Sequence, residues 1–570
     1  MKRSLAVIVL LSAALLAAAC EAAPVVRGPG SAGGAAGAAA KGALPRVLAG
    51  GLAKPWQLTW GPDNFLWVTE QTGKRITRID PDDGASSDVV DIPDVSSSGA
   101  EDGLLGMAFG PGAVFVAYDY NAGPGPAVDL RAKIVRYRYD QSAASLTSPT
   151  DVLTGLPAST AHNGGRLAFG PDQKLYFTLG DLGNNEYGQA CAPIRSQDLP
   201  TSQQLAARDW SSYAGKILRL DQDGGIPADN PMIHGVRSHI FAVGERNPVG
   251  LAFGPNGQLY SADQGPKSDD EVDLVRAGSN YGWPFVAGYR DDQSYRYANW
   301  SAARNCGQLA YDPDQVPAGV PQGPAETVWN TPDYVEPLKT LYTAPNGYGF
   351  QDEACAPDYD RCWPTVAPGS LAYVPADSPD PALANSLLVP SLKNGAVYAV
   401  KLSQDGGSAQ GDVLELFRTH NRYRDVAISA DHSRIYVATD STGLGGAKPG
   451  EQTGPLDNPG TILEFALAAP LATPRPLTGP SPTPNPPSNA PPTTYAPPTT
   501  SYAPPTSYAP STTYAPPPSN PPPSYGRTPA YAPPPSAPAV PRPGNPLLPT
   551  LTPSDPSDGP PPSSFSTPPN

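Results

Sequence analysis

Histidine, cysteine and methionine are scarce in this 570-residue chain, which holds five, five and three of them. A basic excess is missing as well: the formal net charge is −15, which excludes non-specific nucleic-acid binding, since a phosphate backbone demands a basic face. Long helical periodicity is absent. No glycine fingerprint for a nicotinamide dinucleotide follows a strand, which removes the commoner dehydrogenase design. The one apolar run, Leu5 to Leu16, is too short to span a bilayer.

That run sits behind Lys2 and Arg3 and ends in small residues before Cys20, the form of a secretory signal over 1–20. Cys20 after three alanines is placed to carry a lipid anchor, the one membrane contact expected; simple cleavage and release is the alternative. Export suits the remaining four cysteines, an even number that fits disulfides better than metal thiolates. Cys355 and Cys362 enclose a short loop and are the first expected pair, with Cys191 and Cys306 the remainder. Residues 21–45 are a Gly/Ala-rich tether. Residues 469–570 are Pro/Ser/Thr/Tyr-rich with a Tyr-Ala-Pro repeat and hardly any charge. Such a segment cannot bury enough apolar surface to offset its ordering entropy, so a disordered tail is expected there, as a cell-wall spacer or a solubilising extension.

Between these ends, 46–468 carries a recurring unit. LTWGPDNFLWVTE at Leu58, MAFGPGAVFVAYD at Met107, LAFGPDQKLYFTLGD at Leu167, LAFGPNGQLYSADQG at Leu251 and VAISADHSRIYVATD at Val426 each read as strand, turn and alternating strand. LVPSLKNGAVYAVKL at Leu388 reads as a further unit whose first strand has diverged. Self-similarity at this spacing favours an all-β, six-bladed β-propeller over a sandwich.

Four clusters carry candidate chemistry. His162 stands on a Gly-rich turn, with Asp181 at the far end of the following strand. A histidine so placed takes a proton while a carboxylate fixes its tautomer; as a lone His-Gly-Gly it is a polar turn residue. Gly244-Glu245-Arg246-Asn247-Pro248 precedes a blade strand, and Gln264-Gly265-Pro266-Lys267-Ser268-Asp269-Asp270-Glu271 follows the same blade's next strand. Taken alone, the acidic run is a solvated loop; beside Gly265-Pro266 its carbonyls and carboxylates suit calcium. Lys393, Arg422 and Arg424 form a basic group, with both arginines on one face by alternation, suited to a ligand bearing several carboxylates.

With those motifs in one order (GLLGMAFGP, GRLAFGPDQKLYFTLGD, GKILRL, ERNPVGLAFGPNG, QGPKSDDE, NYGWPFVAGYRDD, CWPTVAP, LLVPSLKNG and NRYRDV) the chain resembles the soluble PQQ-dependent glucose dehydrogenases of the sugar/sorbosone dehydrogenase family, which are six-bladed propellers. The resemblance spans about 46–467. It implies PQQ and Ca2+ as cofactors, an aldose oxidised at its anomeric carbon, and an electron acceptor that it leaves unidentified. His162 matches the general base, Asp181 its orienting carboxylate, and Arg246 the cation near the reactive quinone oxygen. Asn247, Lys393, Arg422, Arg424 and Trp363 match cofactor contacts. Gly265 and Pro266 match carbonyl ligands of the cofactor's calcium, and Ala287, Tyr289, Asp291 and Glu326 a second, structural calcium site. Cys355 and Cys362 keep the family's disulfide spacing, and relatives often form homodimers.

Two positions depart from the family pattern, both on the sugar side: Ala161 replaces an aspartate and Glu101 a glutamine. Tyr359 is out of register with the family's loop tyrosine. An unpaired polar group is costly in a closed site, so aldose oxidation carries over as a class and glucose as the preferred sugar does not. Two other classes stand beside this reading: a non-catalytic glycan-binding propeller, and a calcium-dependent lactonase, which leaves the cationic trio unexplained.

Overall fold

The structure, a computed structural model, describes residues 45–467 apart from 125–126, 352–354, 357–358, 394 and 446–453. The expected signal, the tether up to residue 44, the lipid anchor at Cys20 and the tail lie outside the described residues.

Six antiparallel four-stranded sheets form the blades. Blade 1 runs through Pro55–Trp60, Leu66–Glu70, Arg75–Ile79 and Ser86–Asp91. Blade 2 is Leu104–Gly110, Ala113–Asn121, Leu130–Asp140 and Ser145–Pro157. Blade 3 is Leu167–Phe169, Leu175–Leu179, Lys216–Leu220 and Ile240–Val243, and blade 4 is Pro248–Phe253, Leu259–Asp263, Asp270–Val275 and Lys339–Leu341. Blade 5 is Ala372–Val374, Ser386–Pro390, Val397–Leu402 and Ala409–Leu416. Blade 6 takes Tyr423–Ile428, Arg434–Thr439 and Ile462–Ala466 from the end of the domain and borrows Arg46–Ala49 from its beginning. Val47 pairs with Leu463, so the ring is closed by ladder hydrogen bonds between the two ends of the domain. The longest α-helix among the described residues is Ser202–Ala207.

The recurring unit is the innermost strand, its turn and the second strand of a blade. Its glycine has a packing reason. A Cβ on Gly61 would stand 2.7 Å from Trp67, on Gly110 2.8 Å from Phe115, on Gly170 2.8 Å from Tyr176 and on Gly254 2.6 Å from Tyr260. The aromatic ring of the second strand lies on the glycine that ends the first. The turn aspartate then ties the blade together: Asp63 accepts from Trp67 Nε1 at 3.1 Å and Arg78 Nε at 2.7 Å, and Asp172 from the Tyr176 hydroxyl and Arg219 Nε, both at 2.9 Å. In the divergent unit the innermost strand is Ala372–Val374, and LVPSLKNGAVYAVKL forms the second and third strands.

Apolar side chains collect between blades. Each of the six neighbouring pairs shares one cluster, such as Phe115 and Leu156 of blade 2 with Phe177 and Leu218 of blade 3, and Leu58 and Val68 of blade 1 with Tyr436 and Ile462 of blade 6. Innermost strands present unpaired edges to the axis, and buried backbone groups there need partners. Arg166 supplies them: Nη1 pairs with Asp425 Oδ2 at 2.7 Å, Nε donates to Val249 O at 2.8 Å and Nη2 to Gly369 O at 3.1 Å. Asp425 Oδ2 also takes Leu58 N at 2.6 Å, and Gln57 bridges Met107 N and Leu167 O. All six blades are thus joined at the axis.

Asp425→Asn leaves Arg166 buried without its counter-charge. The expected loss is about 3–5 kcal/mol of stability, read as a lower urea midpoint at unchanged slope.

Candidate functional site

Innermost strands all start at one end of the ring, where second strands finish. Glu101, Ala161, His162, Arg246, Asn247, Trp363 and Arg422 precede innermost strands, and Arg424 is the second residue of one. Asp181, Gly265, Pro266 and Lys393 follow second strands. Topology alone therefore gathers them at one mouth of the axial channel.

His162 holds a left-handed backbone, φ +51°, with its amide donating to Glu101 Oε2 at 2.6 Å. Its Nδ1 lies 2.8 Å from Asp181 Oδ1. The other oxygen of that fully buried carboxylate accepts Trp283 Nε1 at 2.9 Å. Burial and the Arg246 charge both disfavour the imidazolium, but Asp181, by charge and hydrogen bond, outweighs them with help from Glu186 and holds His162 above the ordinary imidazole value. Close approach explains Gly180: a Cβ there would stand 2.0 Å from the His162 carbonyl oxygen.

Arg246 forks onto Glu186, with Nη2 at 2.9 and 2.8 Å from the two carboxylate oxygens. Its Nη1 donates to the carbonyls of Gln264 and Gly265, both at 3.1 Å, and the guanidinium lies 5.4 Å from the centre of a Trp283 ring. Asn247 Oδ1 accepts Gly164 N at 3.0 Å and its Nδ2 donates to Gln264 Oε1 at 3.0 Å.

The basic group is reached on the other side of the mouth. Lys393 Nζ donates to Asp360 O at 2.8 Å, to Trp363 O and to Thr365 Oγ1 at 3.1 Å, and burial lowers its amine to about 8 against the pull of Asp270 and Asp360. Tyr423 N donates to Ser391 O at 2.8 Å, which seats the Lys393 loop beside Arg422 and Arg424. Both arginines reach Asp440 Oδ2, Arg424 Nη2 at 2.9 Å and Arg422 Nε at 3.6 Å, and Arg424 lies 4.6 Å from the centre of a Trp56 ring. Charge contact runs from Arg422 to Glu101 and back to His162. The candidates form a ring: His162, Arg246, Gly265, Asp270, Lys393, Arg422, Glu101.

Inside the mouth is a cavity of about 500 Å³. Ala161, His162, Arg246, Pro266 and Trp363 line it, with Glu186, Trp283 and a wall of Tyr187, Tyr295, Trp300 and Tyr311. Asp181 stands behind His162. Glu101, Asn247, Lys393, Arg422 and Arg424 are outside this lining, and Glu101 spends one oxygen on the His162 amide. The rings of Tyr187 and Trp300 each lie tilted against Tyr311, with centroids 5.0 Å apart. The Cys191–Cys306 disulfide fastens these two loops together, and Cys355–Cys362 closes the loop ahead of Trp363, so both expected pairs are formed.

Two donors on the cofactor side of the ring, Arg422 Nε and Trp363 Nε1, are buried without a hydrogen-bond partner. Orphaned donors beside three cations fit a planar polyanion such as PQQ. Among the described residues no three acidic, histidine or cysteine side chains form a metal centre. At the second expected calcium site, Glu326 takes the amides of Ala287 and Asp292, both at 3.0 Å. Burial, with Asp291 and Asp269 adding, pushes it up to about 8. Asp269 is pushed to about 6 by burial, again with Asp291 adding. The carboxylates of Glu326, Asp269 and Asp291 thus repel one another at this place.

The acidic run, a solvated loop by itself, is buried: Asp269, Asp270 and Glu271 are 2%, 1% and 8% exposed. Asp270 ties the loop down by accepting Gly265 N at 3.0 Å and the amides of Val366 and Ala367. Sequence reasoning missed Glu186, whose GNNE context has no spacing signature, and the aromatic wall, which lies far along the chain from His162. Trp283 carried a signal in NYGWPF without an assigned role.

A glucose/sorbosone dehydrogenase family model matches residues 52–320. The chain is 43% identical over 435 residues to the quinoprotein glucose dehydrogenase B of Acinetobacter calcoaceticus, covering 74% of this chain and 91% of that protein. It is 30% identical over 251 residues to the aldose sugar dehydrogenase YliI of Escherichia coli, covering 42% of this chain and 61% of that one. A crystal structure of a glucose dehydrogenase superposes with a TM-score of 0.52 at 22% identity, covering 75% of this chain and 100% of that one; at that identity the match speaks for the fold. The geometry and the relatives converge: the chain belongs to the glucose/sorbosone dehydrogenase family.

Proposed function

We propose that this protein is a PQQ- and calcium-dependent oxidoreductase that converts an aldose to its lactone, with His162 as the general base. The observation that carries the reading is the His162–Asp181 contact at 2.8 Å beside the Arg246 guanidinium. Nδ1–H is spent on the carboxylate, so Nε2 is the nitrogen left to accept the proton of the anomeric hydroxyl. Asp181 then stabilises the imidazolium. Bound PQQ would supply the hydride acceptor, and a calcium ion would supply Lewis-acid polarisation. Lys393, Arg422 and Arg424 would hold its carboxylates, and Asn247 and Trp363 would contribute further contacts to it. Arg246 would stabilise negative charge that develops on the bound cofactor. Gly265 and Pro266 would offer carbonyls to the calcium, and Ala287, Tyr289, Asp291 and Glu326 would hold a second, structural ion. Ala161 leaves room where a carboxylate would have gripped one sugar hydroxyl, so recognition falls to Glu186 and the aromatic wall. The two disulfides fit an oxidising compartment outside the cytoplasm. We read 46–468 as the catalytic domain, preceded by an exported leader and followed by a tail that the chemistry does not use.

The test is direct. The protein is mixed with PQQ, calcium, an aldose and an artificial electron acceptor. Dye reduction dependent on both cofactors is expected, and its absence overturns the enzyme reading; turnover of a lactone with calcium alone supports a lactonase instead. His162→Ala is expected to lower kcat by on the order of 10²–10⁴ with PQQ uptake retained.

The pH dependence follows from the raised His162 pKa. The neutral base forms only as pH rises through that value, so kcat/KM is expected to climb on an acid limb lying above about 6.5. Asp181→Asn removes the group that raises it and is expected to move the limb downward while lowering kcat. A limb that does not move argues against His162 as the titrating base.

A further inference from the structure

Behind Arg246 lies a group of acids that this mechanism does not use. Asp263 and Glu271 sit opposite each other on neighbouring strands of blade 4, as do Ser261 and Asp273, and Glu245 joins them from the loop ahead of the blade. All four acids are buried, Glu245 and Asp273 completely. Four such charges cannot share a low-dielectric interior, so the negative charge settles where donors are supplied. Neither oxygen of Glu245 accepts from a donor of the protein, and burial, with Asp263 and Asp273 adding and the Asp263 carboxyl in hydrogen-bond contact, raises it well above the ordinary carboxyl range. Asp263 is raised less, to about 6, because burial is opposed by two backbone amides that favour its charged form. Its Oδ2 accepts the amide of Arg246 at 2.7 Å and its Oδ1 that of Asn247 at 2.6 Å.

The Arg246 peptide is gripped on its other side as well, where its carbonyl accepts Asp181 N at 2.7 Å. Asp181 is the residue whose side chain holds His162, and Asn247 Oδ1 takes the amide of Gly164, two residues beyond His162. One carboxylate on blade 4 thus fixes the main chain that carries Arg246 against the blade 3 loop that carries the base. We infer that Asp263 is a positioning residue: by clamping two consecutive amides it sets the separation between the Arg246 guanidinium and the His162 imidazole. Its consequence for turnover rests on the dehydrogenase reading; the clamp itself does not.

The test uses Asp263→Asn, in which an amide N–H₂ replaces one acceptor and opposes a backbone N–H. Asp263→Ser, which leaves room for water, runs alongside it. The His162 titration is followed by NMR in cofactor-free protein labelled with 13C-histidine, the chain having five histidines. Asp181, Glu186, Glu101 and Arg246 face the ring, and of these the variants release Arg246, whose charge depresses the His162 pKa. An upward shift of the His162 midpoint is expected, together with a fall in kcat on the order of tenfold to a hundredfold and KM changed less than about twofold. A folded variant whose midpoint matches the parent overturns the clamp. A shifted midpoint with unchanged kcat overturns its role in the reaction. Failure of both variants to fold makes Asp263 a framework residue and overturns the inference. If the parent shows no PQQ-dependent activity, the functional reading falls, and the midpoint alone decides the clamp.

Discussion

The structure depends on one buried ion pair at the propeller axis. Arg166 and Asp425 meet at 2.7 Å with side chains only 3% and 4% exposed, and their remaining hydrogen-bonding groups are taken by the backbones of blades 1, 4 and 5. A buried pair stabilises only when its geometry is good and its other donors and acceptors are satisfied. Here both conditions hold, because the innermost strands offer the unpaired backbone groups that the guanidinium and carboxylate need. The pair also has a positional meaning. Arg166 stands four residues after His162, and Asp425 follows Arg424 directly. The contact that joins the blades therefore fixes the base-bearing loop and the cation-bearing strand at a common depth in the channel.

Around that axis the charges are sorted rather than mixed. Arg246 faces Glu186, Arg422 and Arg424 share Asp440, and Lys393 is surrounded by oxygens of the segment from Asp360 to Thr365. On the cofactor side, Lys393, Arg422 and Arg424 are each held by something less than a dedicated, fully satisfied partner: one carboxylate divided between two arginines, or neutral oxygens at hydrogen-bond distance. Such cations retain attraction for a further anion, while an arginine already matched one-to-one by a buried carboxylate would have lost most of it. The acids of blade 4 are set back from the mouth, where they grip main chain instead of ligand. The same burial that makes those acids expensive to ionise makes the hydrogen bonds of Asp263 and Asp270 strong.

Much of this was legible beforehand, for identifiable reasons. The blade unit was readable because its glycine lies under an aromatic ring and its aspartate binds the same ring's polar atom, so two local contacts repeat as a spelling. His162 and Asp181 were readable because only a Gly-Gly turn and one short hairpin of blade 3 separate them. Lys393, Arg422 and Arg424 were readable as a group only through alternation and family resemblance. Glu186 was not readable: its partner Arg246 is 60 positions away, and nothing in an isolated glutamate announces such a pairing. The burial of Asp269, Asp270 and Glu271 was not readable either, since a run of acids is normally solvated and these are covered by segments from blade 5 and the long blade 4 connection.

The amino-acid order by itself determined the six-bladed architecture and the residue types that surround the channel mouth, because strand alternation and turn chemistry are local properties; of the disulfides it marked the short Cys355–Cys362 loop and left Cys191–Cys306 as the remainder. Only the tertiary structure decided which charges oppose one another. The pairing of Arg246 with Glu186, the clamp of Asp263 on two amides and the sharing of Asp440 arise where separate blades meet at the axis. Electrostatic energy there depends on distance and burial, and neither quantity is written in the spacing of residues along the chain.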